Sequence, residues 1–281
     1  MLVFVNGQFV PEEQAVVSVF DRGFLYGDGV FEAMRVVNGK PFRWEQHLER
    51  LQRGAEFLKI RLPWPSDSCR GFADQLIAEN RQPDCLLRIA VSRGVGARGY
   101  SPKGVGRPSL VMSLHQAPPI DLENPPVWRV VTSSFRLPAN EPLAQFKTCN
   151  KLPQILARAE ADAAGADEAL LLNTLGDVAE GSSSNLFWVE GETIRTPPLA
   201  SGLLPGVTRA VVGEICRGLR QNVIEKSIRP EQLRASQGVF FSLTSLGIAE
   251  AGSLDGCALP RSALVREIFA AYWELVRVER R

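Results

Sequence analysis

The chain has 281 residues, 45% of them hydrophobic and 22% charged, and its 32 basic and 31 acidic residues give a formal net charge of +1. This is ordinary globular composition, with material for one large domain or two medium ones. The balanced charge predicts no nucleic-acid partner and no membrane partner, and no stretch approaches eighteen consecutive apolar residues, which argues against a transmembrane span.

The N-terminal half begins with a strand and a turn rather than a signal peptide, so we expect a cytoplasmic protein. Two Asn-Gly pairs, in FVNGQFV (4–10) and RVVNGKPF (35–42), lie between β-prone runs and predict hairpins. The further predicted elements of this half are an amphipathic helix from Trp44, a helix over about 66–80, and strands in 84–94 and 109–117.

Two Pro-Pro pairs in APPIDLENPPVW interrupt helix and sheet, so residues 118–126 are predicted to link a domain of residues 1–117 to a domain of residues 127–281. The second half is predicted to contain strands in WRVVTSS, EALLLN, NLFWVEG and GVFFSLT, and helices in LPQILARAEADAAGA, after LLPG, and from about Ser262. Strands and helices do not alternate regularly, which favours an α+β fold over a doubly wound sheet.

Cysteine and histidine usage narrows the possible chemistry. The five cysteines are widely spaced and include no C-x-x-C pair, which argues against a disulfide framework and against a structural zinc site. The chain has only two histidines, so histidine-based triads and metal centres are disfavoured. We therefore predict no metal site.

Lys147, in AQFKTCNKL, follows an apolar approach and precedes a helix rich in Leu, Ile and Ala. Burial opposes the charge of a lysine, lowers its pKa and leaves the amine free to act as a nucleophile, as a Schiff-base lysine requires. The same pattern also fits a surface lysine at the end of a strand.

Glu180 is the carboxylate of AEGSSSNLFWV, at the edge of a buried strand and a short polar loop. Such a carboxylate could face a protonated ring nitrogen and keep it charged, as in pyridoxal phosphate enzymes. It could equally be a turn glutamate that bonds the backbone of the neighbouring serines.

A phosphate site is suggested by LLPGVTRAVV, where Pro205 and Gly206 precede a helix whose first turn would present the N–H groups of Val207 and Thr208. Arg50, in HLERL, has a planar fork suited to phosphate oxygens, although a helix-surface arginine would look the same in sequence.

Taken together, these segments resemble one family, the fold-type IV pyridoxal phosphate enzymes, also called class IV aminotransferases. The resemblance covers nearly the whole chain: GDGVFEAMRV followed by HLERL, then FKTCNKL, ADEALLLNTLGDVAEGSSSNLFWV and LLPGVTR occur in the family's order. It implies a two-domain α+β fold like that of D-amino acid aminotransferase, with pyridoxal 5'-phosphate at the domain interface. It also implies a homodimer with shared active sites, in which Arg98 reaches across the interface.

The same resemblance implies a role for each matching residue. Lys147 would be the catalytic Schiff-base lysine and Glu180 the partner of the pyridine nitrogen. The remaining cofactor-binding positions would be Arg50, Val207 and Thr208 at the phosphate, Leu204 at the ring face, and Thr244. The substrate-binding positions would be Phe31, Arg98, Tyr100 and Thr244.

The loop SRGVGARGYSPKG favours one branch of the family, since it looks most like the Arg-Gly-Tyr-Ser segment of 4-amino-4-deoxychorismate lyase. Arg98 would bind a substrate carboxylate beside Tyr100. Two positions depart from the relatives: Thr244 stands where the lyases commonly have asparagine, and Phe31 stands where D-amino acid enzymes have tyrosine.

The predicted function is therefore a pyridoxal phosphate enzyme acting on a small amino substrate that carries a carboxylate. The preferred reaction is that of aminodeoxychorismate lyase in folate biosynthesis, releasing pyruvate and 4-aminobenzoate. The alternative is a class IV aminotransferase that uses D-amino or branched-chain amino acids with a 2-oxo acid acceptor. A catalytically dead binding protein on the same scaffold is disfavoured, because the lysine, glutamate and arginine are all present.

Overall fold

The structure is a computed structural model that describes residues 1–279. The chain divides into two compact units. Unit 1 contains Met1–Ala117, Phe146–Asn150 and Glu279, and unit 2 contains Pro118–Gln145 and Lys151–Val278. Residues 117–126 contain no helix or strand. The segment that carries Lys147 thus groups with unit 1, whereas the sequence assigned this lysine to the second domain.

Unit 1 is built on a six-stranded sheet with the strand order β2-β1-β6-β5-β3-β4, in which all pairs are antiparallel. Its elements are β1 (Leu2–Val5), β2 (Gln8–Pro11), α1 (Arg22–Tyr26), β3 (Gly29–Val37), β4 (Lys40–Pro41), α2 (Trp44–Phe57), α3 (Ser66–Asn80), β5 (Cys85–Ser92) and β6 (Ser109–Gln116).

Both predicted Asn-Gly hairpins are confirmed, joining β1 to β2 and β3 to β4. Each turn needs two residues at positive φ, and these angles are 52° and 97° at Asn6 and Gly7, and 51° and 75° at Asn38 and Gly39. Asparagine and glycine tolerate this left-handed backbone better than other residues, so the sequence specifies both turns locally.

The core of unit 1 lies between its sheet and the helices α2 and α3. Strand β3 alternates, so that Val30, Met34 and Val36 are buried in this core. Helix α2 buries Leu48 and Leu51 on the same side, as its apolar spacing predicts. Polar side chains on this face of α2 are consequently carried inward against β3.

Unit 2 contains a nine-stranded sheet with the order β12-β11-β10-β13-β14-β7-β8-β9, with β15 paired to β14. Its elements are β7 (Val127–Leu137), α4 (Leu152–Ala163), β8 (Glu168–Asn173), β9 (Val178–Gly181), β10 (Asn185–Glu190), β11 (Thr193–Thr196), α5 (Val207–Gly218), β12 (Asn222–Glu225), α6 (Pro230–Leu233), β13 (Gly238–Leu243), β14 (Gly247–Leu254), β15 (Cys257–Ala258) and α7 (Ala263–Glu279).

The sheet of unit 2 mixes antiparallel pairs with three parallel ones, β7 with β8, β7 with β14, and β11 with β12. Together with the antiparallel sheet of unit 1, this confirms the predicted α+β class. The fully buried strand β8 and the strand β10, buried except at its last residue, lie where EALLLN and NLFWVEG predicted them. Strand β9, which carries Glu180, is a short additional strand that the sequence analysis missed. No helix within residues 1–279 is both long enough and apolar enough to cross a membrane.

Candidate active site

The segment with Lys147 lies along β3 of unit 1. The backbone N–H of Phe31 donates to the carbonyl of Lys147 at 2.9 Å, and the N–H of Cys149 donates to the carbonyl of Gly29 at 2.9 Å. These bonds place the half-buried Lys147 beside β3 and fix the backbone from which its side chain extends.

Arg50 is buried on the inner face of α2 and is bound by a carboxylate of β3. Its Nε and Nη2 donate to Oε1 and Oε2 of Glu32 at 2.7 and 2.8 Å. His47, one helical turn before Arg50, contacts the same carboxylate through Nδ1 at 2.7 Å. The helix spacing and the strand alternation together create this buried triad.

Electrostatics keep the Glu32 carboxylate charged. Burial alone would raise the pKa of Glu32, but the charges and hydrogen bonds of Arg50 and His47 lower it to about 2. Burial lowers the pKa of His47, and the carboxylate of Glu32 only partly offsets this effect. Glu32 is therefore an anion at neutral pH and orients the Arg50 guanidinium.

Two cations share the ring of Phe31 in unit 1. The Cζ atom of Arg88, on β5, lies 3.9 Å from the ring centroid, and Nζ of Lys147 lies 4.8 Å from it. Among the described residues, no hydrogen bond or ion pair reaches the half-buried guanidinium of Arg88. Burial lowers the pKa of Arg88, and Cys149 partly offsets this. An arginine in this setting, next to a candidate catalytic amine, suits an anionic ligand.

The loop with the two predicted substrate-binding residues is held by a buried arginine. Nη1 of Arg22 donates to the carbonyl of Gly99 at 2.7 Å, and Nη2 donates to that of Tyr100 at 3.2 Å. Nε of Arg22 donates to Asp28 at 2.8 Å. The side chains of Arg98 and Tyr100 are exposed, that of Tyr100 to 87%. The loop backbone is thus fixed while these side chains face outward.

In unit 2, Glu180 lies on β9, opposite Leu171 of β8, and is buried. Its Oε2 accepts a hydrogen bond from the backbone N–H of Leu204 at 3.0 Å. Nδ2 of Asn185 lies 3.5 Å from the same oxygen. The structure therefore brings together Glu180 and Leu204, two of the predicted cofactor-binding residues.

Helix α5 begins at Val207, and its N-terminus has the features of an anion site. Gly206 precedes the helix without any side-chain cap, and the first turn contains no acidic residue. Val207 and Thr208 lie in this first turn, where the sequence placed them, and both are buried. Free N–H groups and the helix dipole at such a terminus favour an anion.

Two of the serines after Glu180, Ser182 and Ser184, bind a different carboxylate, that of Glu168. The hydroxyl of Ser184 donates to the buried Glu168 at 2.8 Å, the backbone N–H of Ser182 donates to it at 3.1 Å, and the hydroxyl of Ser182 also binds it. Ser182 and Ser184 are buried and fix the turn between β9 and β10.

Among residues 1–279, no three His, Cys, Asp or Glu side chains are grouped so that they could hold a metal ion. Residues 29–254 match the sequence model of the family described as amino-transferase class IV. The chain belongs to the class IV aminotransferases.

Similar proteins fall into both branches of this family. The chain is 34% identical to the putative branched-chain-amino-acid aminotransferase of Methanocaldococcus jannaschii, over 91% of this chain and 88% of the relative. It is 33% identical to the aminodeoxychorismate lyase of Bacillus subtilis, over 76% of this chain and 73% of that protein.

Solved structures of aminotransferases match the whole fold. The branched-chain aminotransferase of Thermoproteus uzoniensis, crystallised with norvaline, is 30% identical and superposes with a TM-score of 0.91, covering 98% of this chain and 94% of that one. Another branched-chain amino acid aminotransferase, solved with pyridoxamine 5'-phosphate, is also 30% identical and superposes with a TM-score of 0.92, covering 100% of this chain and 95% of that one.

Class IV aminotransferases depend on pyridoxal 5'-phosphate (PLP), and these relatives make the chain a PLP-dependent transaminase or lyase. The donor sets of both units fit this cofactor. Unit 1 supplies an amine at Lys147 and a charged, oriented guanidinium at Arg50. Unit 2 supplies a buried carboxylate at Glu180 and the N-terminus of α5, which Gly206 precedes without a side-chain cap.

Sequence reasoning missed several residues around these donors. Glu32, Arg88 and Asn185 were not singled out, and His47 was considered only as one of two histidines. The sequence signals for them were the three-residue spacing of His47 and Arg50 and the acidic Glu32 at an inward position of β3. Thr244 lies half-buried in the turn between β13 and β14, and its predicted roles remain predictions.

Proposed function

We propose that this class IV aminotransferase family member acts on a small amino substrate that carries a carboxylate. The observation that supports this most directly is the pair of cations at Phe31, the amine of Lys147 and the guanidinium of Arg88. An amino acid or amino acid-like substrate presents a carboxylate that Arg88 could bind and an amine that could react at the aldehyde carbon that PLP would supply beside Lys147.

When bound, PLP supplies an electrophilic aldehyde carbon and an electron-withdrawing ring. Lys147 would attach the cofactor through its amine and then move protons as a general base and acid. Arg50, held in place by Glu32, would bind phosphate oxygens. Val207 and Thr208 would bind the phosphate through their N–H groups, and Leu204 would pack on the ring face.

Glu180 would keep the pyridine nitrogen of the cofactor protonated. A buried carboxylate favours a nearby cation because the two charges are poorly screened by solvent. The bond from the Leu204 N–H orients the carboxylate without neutralising it. We assign the residues of both units to one PLP molecule, and this assignment is part of the proposal.

For the reaction itself, we propose that the chain is an aminodeoxychorismate lyase of folate biosynthesis. The loop Arg98-Gly99-Tyr100-Ser101 resembles that of the lyases, and Phe31 lacks the hydroxyl that D-amino acid enzymes place there. The 33% identity to the Bacillus subtilis lyase supports this choice. Arg98 and Tyr100 would bind one substrate carboxylate, and Arg88 would bind another. Thr244 would contribute to cofactor and substrate binding.

Transamination is the second candidate. The relative with 34% identity over 91% of the chain is a putative branched-chain aminotransferase, and Thr244 is closer to the aminotransferases than to the lyases. In that case Arg88 would bind a carboxylate of the amino donor or of the 2-oxo acid acceptor.

Product analysis separates the two reactions. The full-length protein with PLP is given aminodeoxychorismate without any amino acceptor, and separately D-alanine or branched-chain amino acids with 2-oxoglutarate. The lyase proposal predicts equal amounts of pyruvate and 4-aminobenzoate in the first mixture. Amino transfer in the second mixture, with no pyruvate or 4-aminobenzoate in the first, would assign the chain to the aminotransferases.

We also propose that the protein is a homodimer with shared active sites. Large apolar side chains of unit 1 are exposed over a short stretch, with exposed fractions of 77% at Val16, 63% at Phe20 and 74% at Phe24. Contiguous exposed apolar surface usually marks a contact with another protein. A molar mass near twice 30.9 kDa in light scattering is expected, and a monomer at micromolar concentration would contradict the proposal.

A further inference from the structure

Asn185, the first residue of β10, lies between the two features of unit 2 that are proposed to bind the cofactor. These are the Glu180 carboxylate and the N-terminus of α5. Its side chain is buried to all but 6%. Nδ2 donates to the carbonyl of Leu204 at 2.8 Å and lies 3.5 Å from Oε2 of Glu180. Since the N–H of Leu204 also donates to that oxygen at 3.0 Å, the three residues form a closed ring of contacts.

The other end of the same amide faces the start of α5. A Cβ atom built on Gly206 would lie only 2.1 Å from Oδ1 of Asn185 and 3.3 Å from its Cγ. Real Cβ atoms do not approach other atoms this closely, so Asn185 is packed directly against the residue that precedes the helix. The side-chain amide of Asn185 therefore contacts both the Glu180 carboxylate and Gly206, the residue that precedes α5.

We propose that Asn185 is a positioning residue that sets the spacing between the Glu180 carboxylate and the first turn of α5. PLP presents a ring nitrogen and a phosphate at a fixed separation, so simultaneous contact with both depends on this spacing. The inference rests on the proposed function, in which unit 2 holds PLP through Glu180 and α5.

The spacing between Glu180 and α5 depends on the chain segment that leads into the helix. Glu180 belongs to strand β9. Leu204 lies 24 residues further along the chain, and residues 204–206 form neither helix nor strand. Loss of the Asn185 amide would leave the Leu204 carbonyl without its 2.8 Å donor and would open space beside Gly206. The segment could then shift relative to β9, because buried carbonyls seek new partners.

The test compares two cofactors on the full-length protein. Dissociation constants are measured for PLP and for pyridoxal, which lacks the phosphate, by quenching of tryptophan fluorescence. In the wild type, PLP should bind more tightly than pyridoxal. In Asn185→Ala, PLP affinity should fall about tenfold while pyridoxal affinity stays nearly constant, since one hydrogen bond that organises a charged site is worth on the order of one factor of ten.

Asn173→Ala is the matched control. Asn173 is a buried asparagine of unit 2 whose Oδ1 accepts from the N–H groups of Leu175 and Asp177 in the β8–β9 turn. This variant should lose thermal stability but keep the wild-type preference for PLP over pyridoxal. A role of Asn185 in stability alone would make both variants behave in this way.

If Asn185→Ala does not fold, two further variants test whether Asn185 sets the spacing between Glu180 and α5. Asn185→Asp keeps the shape but replaces the donor with a second carboxylate, and Gly206→Ala forces a methyl group against Oδ1. Both should reduce the preference for PLP. If the folded variants retain it, the inference is wrong while the proposed function stands. If the wild type binds neither PLP nor pyridoxal, the proposed function fails first.

Discussion

Arg50 and Glu32 form a bidentate ion pair in which both carboxylate oxygens are used, with N–O distances of 2.7 and 2.8 Å. The carboxylate is fully buried, and the arginine is exposed to only 4%. Two parallel bonds fix the plane of the guanidinium as well as its position. The arginine proposed to bind phosphate is therefore oriented before any ligand arrives.

Replacement of Glu32 by glutamine should destabilise unit 1 and change its response to acid. Removing one partner of a buried pair costs roughly 3–5 kcal/mol. The pKa of Glu32 is lowered from 4.5 to about 2, so its ionisation contributes about 3 kcal/mol above pH 4.5, and this contribution is lost as pH falls towards 2. The stability difference between wild type and variant should therefore shrink over that interval.

Urea unfolding followed by tryptophan fluorescence at pH 7, 4 and 3 measures this difference, since the buried Trp44 reports on unit 1. Glu49→Gln is the control, because Glu49 is an exposed residue of the same helix. A difference between wild type and Glu32→Gln that stays constant from pH 7 to pH 3 would contradict the assigned ion pair.

Replacement of Arg88 by glutamine should weaken substrate binding without affecting the cofactor. The proposed function gives Arg88 a substrate carboxylate, and a bond between two charged groups is worth about 1.5–3 kcal/mol, so KM should rise at least tenfold. The dissociation constant of PLP should not change. Arg53→Gln, at an exposed position of α2, should have wild-type kinetics. Unchanged KM values in Arg88→Gln for every accepted substrate would remove Arg88 from the site.

Replacement of Arg22 by glutamine should loosen the loop that carries Arg98. The N–H of Gly99 donates to the hydroxyl of Tyr26 at 3.0 Å, and Arg22 binds the carbonyl of the same glycine. Hydrogen exchange in peptides that cover residues 95–104 should accelerate, because both bonds depend on the position of α1. Lys103→Gln changes an exposed side chain of the loop and should leave the exchange as it is. Wild-type exchange in Arg22→Gln would show that other contacts hold the loop.

Local sequence patterns were sufficient to predict the turns, helices and strands that are determined by their own residues. The Asn-Gly turns, the apolar stripe of α2 and the continuous apolar runs of β8 and β10 each carry their own signal. Glu180, Val207 and Thr208 could be proposed as cofactor-binding residues because they lie within compact segments where the resemblance to the family is specific.

The features that the sequence did not predict depend on contacts between segments that are distant along the chain. Ser182 and Ser184 were interpreted together with Glu180, their neighbour in sequence, yet they bind Glu168, which the pairing of β8 with β9 brings beside them. The segment of Lys147 joins unit 1 because its backbone bonds to β3, more than a hundred residues earlier. Periodicity within one segment does not reveal such pairings.

The covalent attachment of the cofactor tests the central claim most directly. The full-length protein is incubated with PLP, reduced with borohydride, digested and examined by mass spectrometry, with Lys147→Arg and Lys151→Arg prepared in parallel. We expect a phosphopyridoxyl group on Lys147 in the wild type and in Lys151→Arg, and no such group in Lys147→Arg. Stoichiometric labelling of a different lysine, or no labelling of the wild type, would contradict it.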